Sequence, residues 1–465
     1  MIMNKILSIV LVSAVFFSTS CKKELELAPF DTINAGNAFG NVGDLEKGVL
    51  GVYSANNPIN KIYIATLLTD EAKISDENRG QGQFTFKYQF SAGGGEHNSD
   101  FGLYYRLLDR ANRILPLINA VPAITPAETA KKATLRAELL ALRGIAHFEL
   151  MIRFMPAGYD PAAPAVAVMV TSDITAKPAR NTVAQVVAQI ETDLAAAKAE
   201  PTLQGAPTDV LRISKSAIAA YQARLAMLKR DWANAITFAT ESINLSGKTL
   251  ATSANFAAYW TDANGSESIL TYRNQSGPQL LWRDTNGDVF FEPSDELKNA
   301  YNRTADIRYN TYFGSVISGG QSDTSTINKY PGSALGPQIN DLKIIRLAEL
   351  FLNRAEARAE NGDLIGAASD VNILRGVRIA GYVPVTFPTK DVAVAEILTE
   401  RFKELCFEGF RFFDLKRKGL GITRNASDVT SPTWQNLEVG NFRFALPVPQ
   451  DELFANPNAT QNPGY

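Results

Sequence analysis

Cysteine and histidine are almost missing from this chain of 465 residues, which has two of each. Two thiols, Cys21 and Cys406, cannot build a disulfide framework, and no CxxC or HExxH spacing offers a zinc site. An excess of one charge is missing too. The net charge is −2 and no block of like charges occurs, so there is no electrostatic footprint for nucleic acid. The longest apolar run near the start, Ile6 to Phe17, falls short of the roughly 20 residues a spanning helix needs. P-loop, GxSxG and dinucleotide signatures are all lacking, which disfavours an enzyme and a bound cofactor. His97, beside Glu96 and Asp100 in GGGEHNSD, has too few ligands around it for a metal. His147 lies inside a helical run, where a place in the core is expected.

What is present reads as an ordinary globular chain, 45% hydrophobic and 20% charged, with 25 Phe, 15 Tyr and 4 Trp. Its first residues, MIMNKILSIVLVSAVFFSTSCKKELELAP, place Lys5 before the apolar run and Ser18, Thr19 and Ser20 after it, then Cys21. That pattern fits a secretory leader over 1–20. A Cys directly after small residues resembles a bacterial lipoprotein signal, in which Cys21 becomes the acylated N-terminus, although Ser18 stands where that motif usually has Leu. Acylation of Cys21 leaves Cys406 as a lone thiol, expected to be buried and inert in an apolar helix. Lys22 to Glu26 then forms a short charged tether, similar to the export signal of surface lipoproteins in Bacteroidetes.

The organising stretch is Lys343 to Gly381. Ile344, Leu347, Ala348, Phe351 and Ala355 recur at helical spacing. Asn361-Gly362 supplies a left-handed stop and Asp363 a cap for a second helix carrying Leu364, Ala367, Ala368, Val371 and Leu374. This predicts a helical hairpin, with Ala355 and Ala367 allowing close approach. Residues 223–236 (ARLAMLKRDWANAI) echo 355–368 (AEARAENGDLIGAA) without gaps, Ala223, Asp231 and Ala235 standing for Ala355, Asp363 and Ala367. Such spacing is the inter-helix pattern of a tetratricopeptide repeat.

Elsewhere the periodicity predicts helices over 44–55, 101–121, 127–154, 182–199 and 391–406. The alternation of Phe84, Phe86, Tyr88 and Phe90 predicts a short strand with one aromatic face. From 249 to 340 Gly, Ser, Asn and aromatics replace helical periodicity, so small strands and short helices are expected there. Asp284, Asn286 and Asp288 in RDTNGDVFFE invite a calcium reading, but Gly287 and Glu292 are misplaced for an EF-hand, and an Asn-Gly tight turn accounts for them better. In ERFKELCFEGFRFFDLK, Arg401 and Glu404 are expected to pair at i,i+3, and Glu408, Arg411 and Asp414 to pair with one another. A glycoside-hydrolase reading of Glu404 and Glu408 is weak, because carboxylates one helical turn apart commonly serve salt bridges.

Four blocks carry a family resemblance: RLAELFLNRAEA (346–357), VNILRGVRIAG (371–381), ERFKELCFEGFRFFDLK (400–416) and LPVPQDELFANPNATQNPGY (446–465). Together they resemble the signature blocks of the SusD/RagB family. The resemblance implies a mainly α fold of tetratricopeptide-like hairpins with an irregular, loop-rich subdomain containing short strands. It places the helical frame at about 40–248 and 341–420, a ligand-facing insertion at 249–340 and a tail at 421–465. It also implies a lipid-anchored, surface-facing outer-membrane protein that binds glycans or other oligomeric nutrients and passes them to a SusC-like TonB-dependent transporter. Sugar recognition asks for aromatic planes ringed by amides, carboxylates and guanidinium groups. The two irregular regions offer Asn78, Arg79, Phe84, Tyr88 and Asn98, and Tyr272, Arg273, Asn274, Trp282 and Arg283. Competing expectations are a repeat scaffold for a protein or peptide and, less favoured, a hydrolase.

Overall fold

Apolar spacing and side-chain caps set the helices of the first half. The computed structural model describes residues 38–274, 282–284, 286–318 and 321–465; the leader and Cys21 lie outside them. Helix α1 (Val42–Tyr53) starts where the Asn41 side chain accepts from the Asp44 N–H, and α2 (Ile59–Leu67) follows. Strand β1 (Ala72–Ile74) and the one-turn helix α3 (Gln83–Phe86) precede α4 (Glu96–Ile114), which continues as a 3-10 turn over Leu115–Ala120. The 29-residue α5 (Pro126–Phe154) opens on a capping box between Thr125 and Glu128. Thr182 caps α6 (Val183–Lys198), which packs along α5 across the Pro-rich crossing expected to separate a hairpin pair. Then come α7 (Lys215–Lys229) and α8 (Trp232–Ser246), the first of the two echoing hairpins.

Between residues 249 and 346 the elements are short. They are α9 (Phe256–Trp260), β2 (Ser268–Tyr272), β3 (Phe291–Pro293), α10 (Asp295–Asn299), α11 (Ile307–Tyr312), β4 (Phe313–Ser318), β5 (Gln321–Ile327), β6 (Gly332–Ser333), β7 (Gly336–Pro337) and β8 (Leu342–Arg346). Each sheet among the described residues has two antiparallel strands: β1 with β3 (Ala72↔Pro293), β2 with β8 (Tyr272↔Leu342), β4 with β5 and β6 with β7. Helices then resume as α12 (Leu347–Glu360), α13 (Leu364–Arg378), α14 (Lys390–Glu404) and α15 (Arg411–Lys418). The tail adds β9 (Ile422–Thr423) paired with β10 (Asn436–Leu437), and α16 (Gln450–Ala455).

The two hairpins are neighbours, because α12 packs on α8 as well as on α13. Asp231 and Asp363 each cap the second helix, accepting from Asn234 N and Gly366 N, and Ala223, Ala235, Ala355 and Ala367 are fully buried. At the bend Gly362 has φ +89° and its counterpart Arg230 takes the same left-handed region at +59°.

Three expectations are corrected. Residues 84–90 form no strand: Gly82 (φ +59°) turns the chain into α3, and a Cβ there would meet the Tyr63 hydroxyl at 2.4 Å. Phe86, Tyr88 and Phe90 are thereby all buried while Phe84 faces out. Alternation came from a tight turn rather than a pleat. Helix α4 begins five residues before Phe101 and includes His97 and Asp100. Cys406 lies just past the end of α14 rather than within it; it is fully buried, and burial pushes its thiol up to about 12.

Two cores result. Aliphatic side chains from α1, α4, α5, α6 and α7 form one, and His147 is satisfied within it, its Nδ1 3.0 Å from Arg143 O and its Nε2 accepting from Met169 N. The second is aromatic and holds the short elements together: Trp260 meets Tyr312 and Tyr330 edge-on at 5.5 and 5.6 Å, and Phe407 closes it from the far side. Rings with fixed edge-to-face geometry give an irregular segment the packing that periodicity gives a helix.

Candidate functional site

The densest charge in the protein is not where a ligand could reach. Arg346 donates to Glu408 through Nε and Nη2, both at 2.7 Å, and to Glu404 at 2.7 Å. Glu404 also accepts from Arg308 and Arg378, and Glu267 bridges Arg346 and Arg378. Lys329 holds the other side of Glu408 at 2.6 Å. All of these groups are buried. Burial alone would raise Glu400, yet the neighbouring Arg308, Lys403 and Arg375 hold it down at about 2. Burial opposes Glu404 likewise, and three guanidinium groups keep it well below the usual carboxylate range. Glu404 therefore cannot hold a proton for a leaving group, and Glu408 is buried between Arg346 and Lys329 with both oxygens taken, so this pair is structural. The expected pairings are also replaced by others: Arg401 binds Asp414 through Nε and Nη2, and Arg411 binds Asp70.

An accessible surface forms where two loops far apart in sequence are stapled together. The β1–β3 pairing aligns residues 72–74 with 291–293. Just beyond it, Ser75 N donates to Phe290 O, and Glu77 Oε2 accepts from Val289 N at 2.8 Å. The buried Asn78 amide donates to Gln81 O and Phe290 O and accepts from Gly80 N and Gln83 Nε2. Arg79 then pairs with Asp288 across the seam. Beneath this, the buried Arg424 guanidinium donates to Leu67 O, Thr69 O, Phe86 O and Trp434 O, fixing loop 67–86 against the tail. Four of its five N–H donors are used, so a stretch whose only regular structure is β1 and the one-turn α3 is fixed in place.

Of the residues proposed from the sequence, this seam gathers Asn78, Arg79, Phe84, Trp282 and Arg283, in different roles. Phe84 stands 70% exposed, an apolar ring on the outer surface. Trp282 is 5% exposed and packs on Phe407 at 5.5 Å, beneath the seam rather than on it. Arg283 is half-buried and faces the Gln338 side-chain oxygen at 2.7 Å once that amide is oriented to accept. Tyr88 is buried, its hydroxyl donating to Leu68 O at 3.1 Å. Asn274 is buried and its N–H donates to Asp341. Tyr272 and Arg273 sit apart, lining a 400 Å³ groove with Tyr53 and Arg212, and Arg273 pairs with Asp341. Asn98, on α4, reaches Ala92 O at 3.4 Å and is not part of the seam.

Asp284, Asn286 and Asp288 make a tight turn. Asp284 Oδ1 accepts from the N–H groups of Asn286 (2.8 Å) and Asp288 (3.0 Å), Gly287 has φ +95°, and the Asp288 carboxylate is taken by Arg79. Slight desolvation would raise Asp284, but those N–H donors hold it below its ordinary value. Among the described residues no cluster of three or more His, Cys, Asp or Glu side chains could hold a metal. Sequence reasoning passed over Trp434. It stands alone in a polar tail segment, and the fold brings it beside the first loop, with Lys87 Nζ 4.5 Å from its ring. A single tryptophan among Ser, Thr, Pro and Gln was the available signal.

Comparison with known proteins covers both halves. The SusD family matches residues 250–465, and a family described as starch-binding and associating with the outer membrane matches residues 42–227. SusD-like protein P38 of Formosa agariphila is 31% identical over 184 residues, 38% of this chain and 35% of that protein. Starch-binding protein SusD of Bacteroides thetaiotaomicron is 31% identical over 126 residues, 27% of this chain and 22% of that protein. This chain therefore aligns with well under two thirds of the length of either relative. A solved SusD superfamily protein from Bacteroides thetaiotaomicron superimposes with a TM-score of 0.81 at 25% identity, over 91% of this chain and all of the other. With both halves matched and the helical architecture shared almost end to end, the chain belongs to the SusD family.

Proposed function

We propose that this protein binds glycans, or closely related oligomeric nutrients, at the outer membrane without cleaving them. In this reading Cys21 carries the lipid that moors it at the cell surface, and the captured oligomer passes to a SusC-like TonB-dependent transporter. The observation that carries the proposal is the seam between residues 75–87 and 282–290. It is hydrogen-bonded from one loop to the other, it presents Phe84 outward, and it sets the Arg79–Asp288 pair and Trp434 on the same two loops and the tail that clamps them. An exposed ring on a seam that also carries guanidinium and amide groups suits the apolar face and the hydroxyls of a sugar. The starch-binding relative and the family description support the same ligand class.

Affinity electrophoresis and calorimetry against starch and a panel of neutral polysaccharides, with product analysis, test the reading. Retention without products is expected, and Phe84→Ala should weaken it at least about tenfold, roughly 1.4 kcal/mol. Release of shorter products, or equal affinity in the Phe84→Ala variant, would overturn the assignment.

A further inference from the structure

A wide concavity lies on α1, α4, α5 and the segment 170–174, away from the seam. Its volume is about 1450 Å³, beyond the ~300–1,000 Å³ of a site for one small ligand and suited to several linked rings. Arginines recur along it. Arg113 and Arg143 have carboxylates of their own in Asp109 and Asp193. Arg110 and Arg136 have none among the described residues.

We infer that this groove is a second binding site, for an oligosaccharide carrying carboxylate or sulfate groups. Arg110 is preset for such a group. Its Nη1 donates to Gly51 O at 2.7 Å and to Ser54 Oγ at 3.3 Å, which fixes the guanidinium while Nε and Nη2 keep their hydrogens for a planar oxyanion. The opposite wall is fixed as well: Asn112 Nδ2 donates to Met169 O at 2.9 Å and Ser172 Oγ to Asp109 at 2.5 Å. Asp173, an acid in the lining, is occupied by the N–H and hydroxyl of Thr175. Gly51 flattens the floor, for a Cβ there would meet nothing within 4 Å. Ile174, 85% exposed, adds an apolar surface for a sugar face. An acidic peptide is the less suited occupant, because helices and an irregular segment line the groove and offer no free strand edge for its backbone. The site stands independently of the glycan surface proposed above.

The test is binding of a short oligogalacturonate and of dextran sulfate to the detergent-solubilised full-length chain, with neutral dextran and polyglutamate as comparison probes. Both acidic saccharides should bind, more weakly as salt rises. Arg110→Ala with Arg136→Ala should lower affinity at least tenfold and leave retention by starch unchanged. Gly51→Glu, which adds an anion in open space on a helix, should lower it similarly, and decides the matter if the double variant does not fold. Absence of binding, equal binding of neutral dextran, preference for polyglutamate, or indifference to Gly51→Glu would each overturn the inference.

Discussion

Among the arginine–carboxylate pairs of the protein, those around Glu404 in the interior and Arg79–Asp288 on the seam differ in how many partners each charge has. Glu404 accepts from three guanidinium groups and is itself fully buried, whereas Asp288 has Arg79, whose side chain is mostly in water. The interior cluster therefore cannot exchange a partner for a ligand without leaving a buried charge uncompensated. The seam can. Signature residues dense in charge and aromatics specify the frame here, and the sparser loops that frame holds present the chemistry.

Removing one interior partner is the strongest way to break this contrast. Glu404→Ala leaves Arg308, Arg346 and Arg378 short of an anion and should cost up to about 5 kcal/mol. Urea denaturation reads this directly, and a loss below about 1 kcal/mol would mean the cluster is not a stabilising unit. Trp282→Ala comes next. A ring packed on Phe407 belongs to the core, so the variant should lose about 3 kcal/mol by opening a cavity. An unchanged denaturation midpoint with weakened glycan binding would return Trp282 to the binding surface.

Glu71 sharpens the comparison through pH. It is buried beside the Asp70–Arg411 pair, directly before β1, with Thr66 Oγ1 donating to its Oε2 at 3.1 Å. Burial first, and then the charge of Asp70, raise it to about 8. A folded-state value above the ordinary one near 4.5 gives stability that is complete below that value and drains away as pH climbs through 8. His97 and His147 work in the opposite sense: burial lowers both to about 4, so their contribution is complete above about 6.5 and is lost toward pH 4. Stability should accordingly rise from pH 4 to 6.5 and then fall toward pH 8. The fall amounts to about 2 kcal/mol, at roughly 1.4 kcal/mol per unit. Glu71→Gln should flatten the upper limb and steepen the lower one, where the loss from Glu71 offsets part of the histidine gain. A decline that persists in that variant would place the titrating group elsewhere.

Much of the frame was legible in advance because it is local. Apolar spacing, a capping Asp and small residues at the crossing lie within fifteen residues of one another, and both echoing hairpins form as expected. Arg230 shows how far this reaches: the bend needs a left-handed residue, and the chain puts one there without glycine. The partners of Glu404 and Glu408 were not legible, since they come from residues 308, 329, 346 and 378 and depend on the completed fold. For the same reason the seam escaped notice. It rests on pairing of β1 with β3, some 220 residues apart, and on Arg424 reaching back to residues 67–86. Residue type alone could not separate Phe84, which faces out, from Tyr88 and Trp282, which face in.

The smallest expected effect is the most discriminating. Arg79 has a positive φ of +52° and an exposed side chain, and its bond to Asp288 is of the surface kind that contributes about 0–1 kcal/mol. Arg79→Ala should therefore leave the denaturation midpoint nearly unchanged, the backbone staples through Asn78 and Glu77 being intact, while weakening retention of a neutral glycan several-fold. High salt should mimic the variant in part by screening the pair. A large loss of stability would show that the seam is held by its charge as the interior is, and the distinction between frame and binding surface would then fail where it is most exposed.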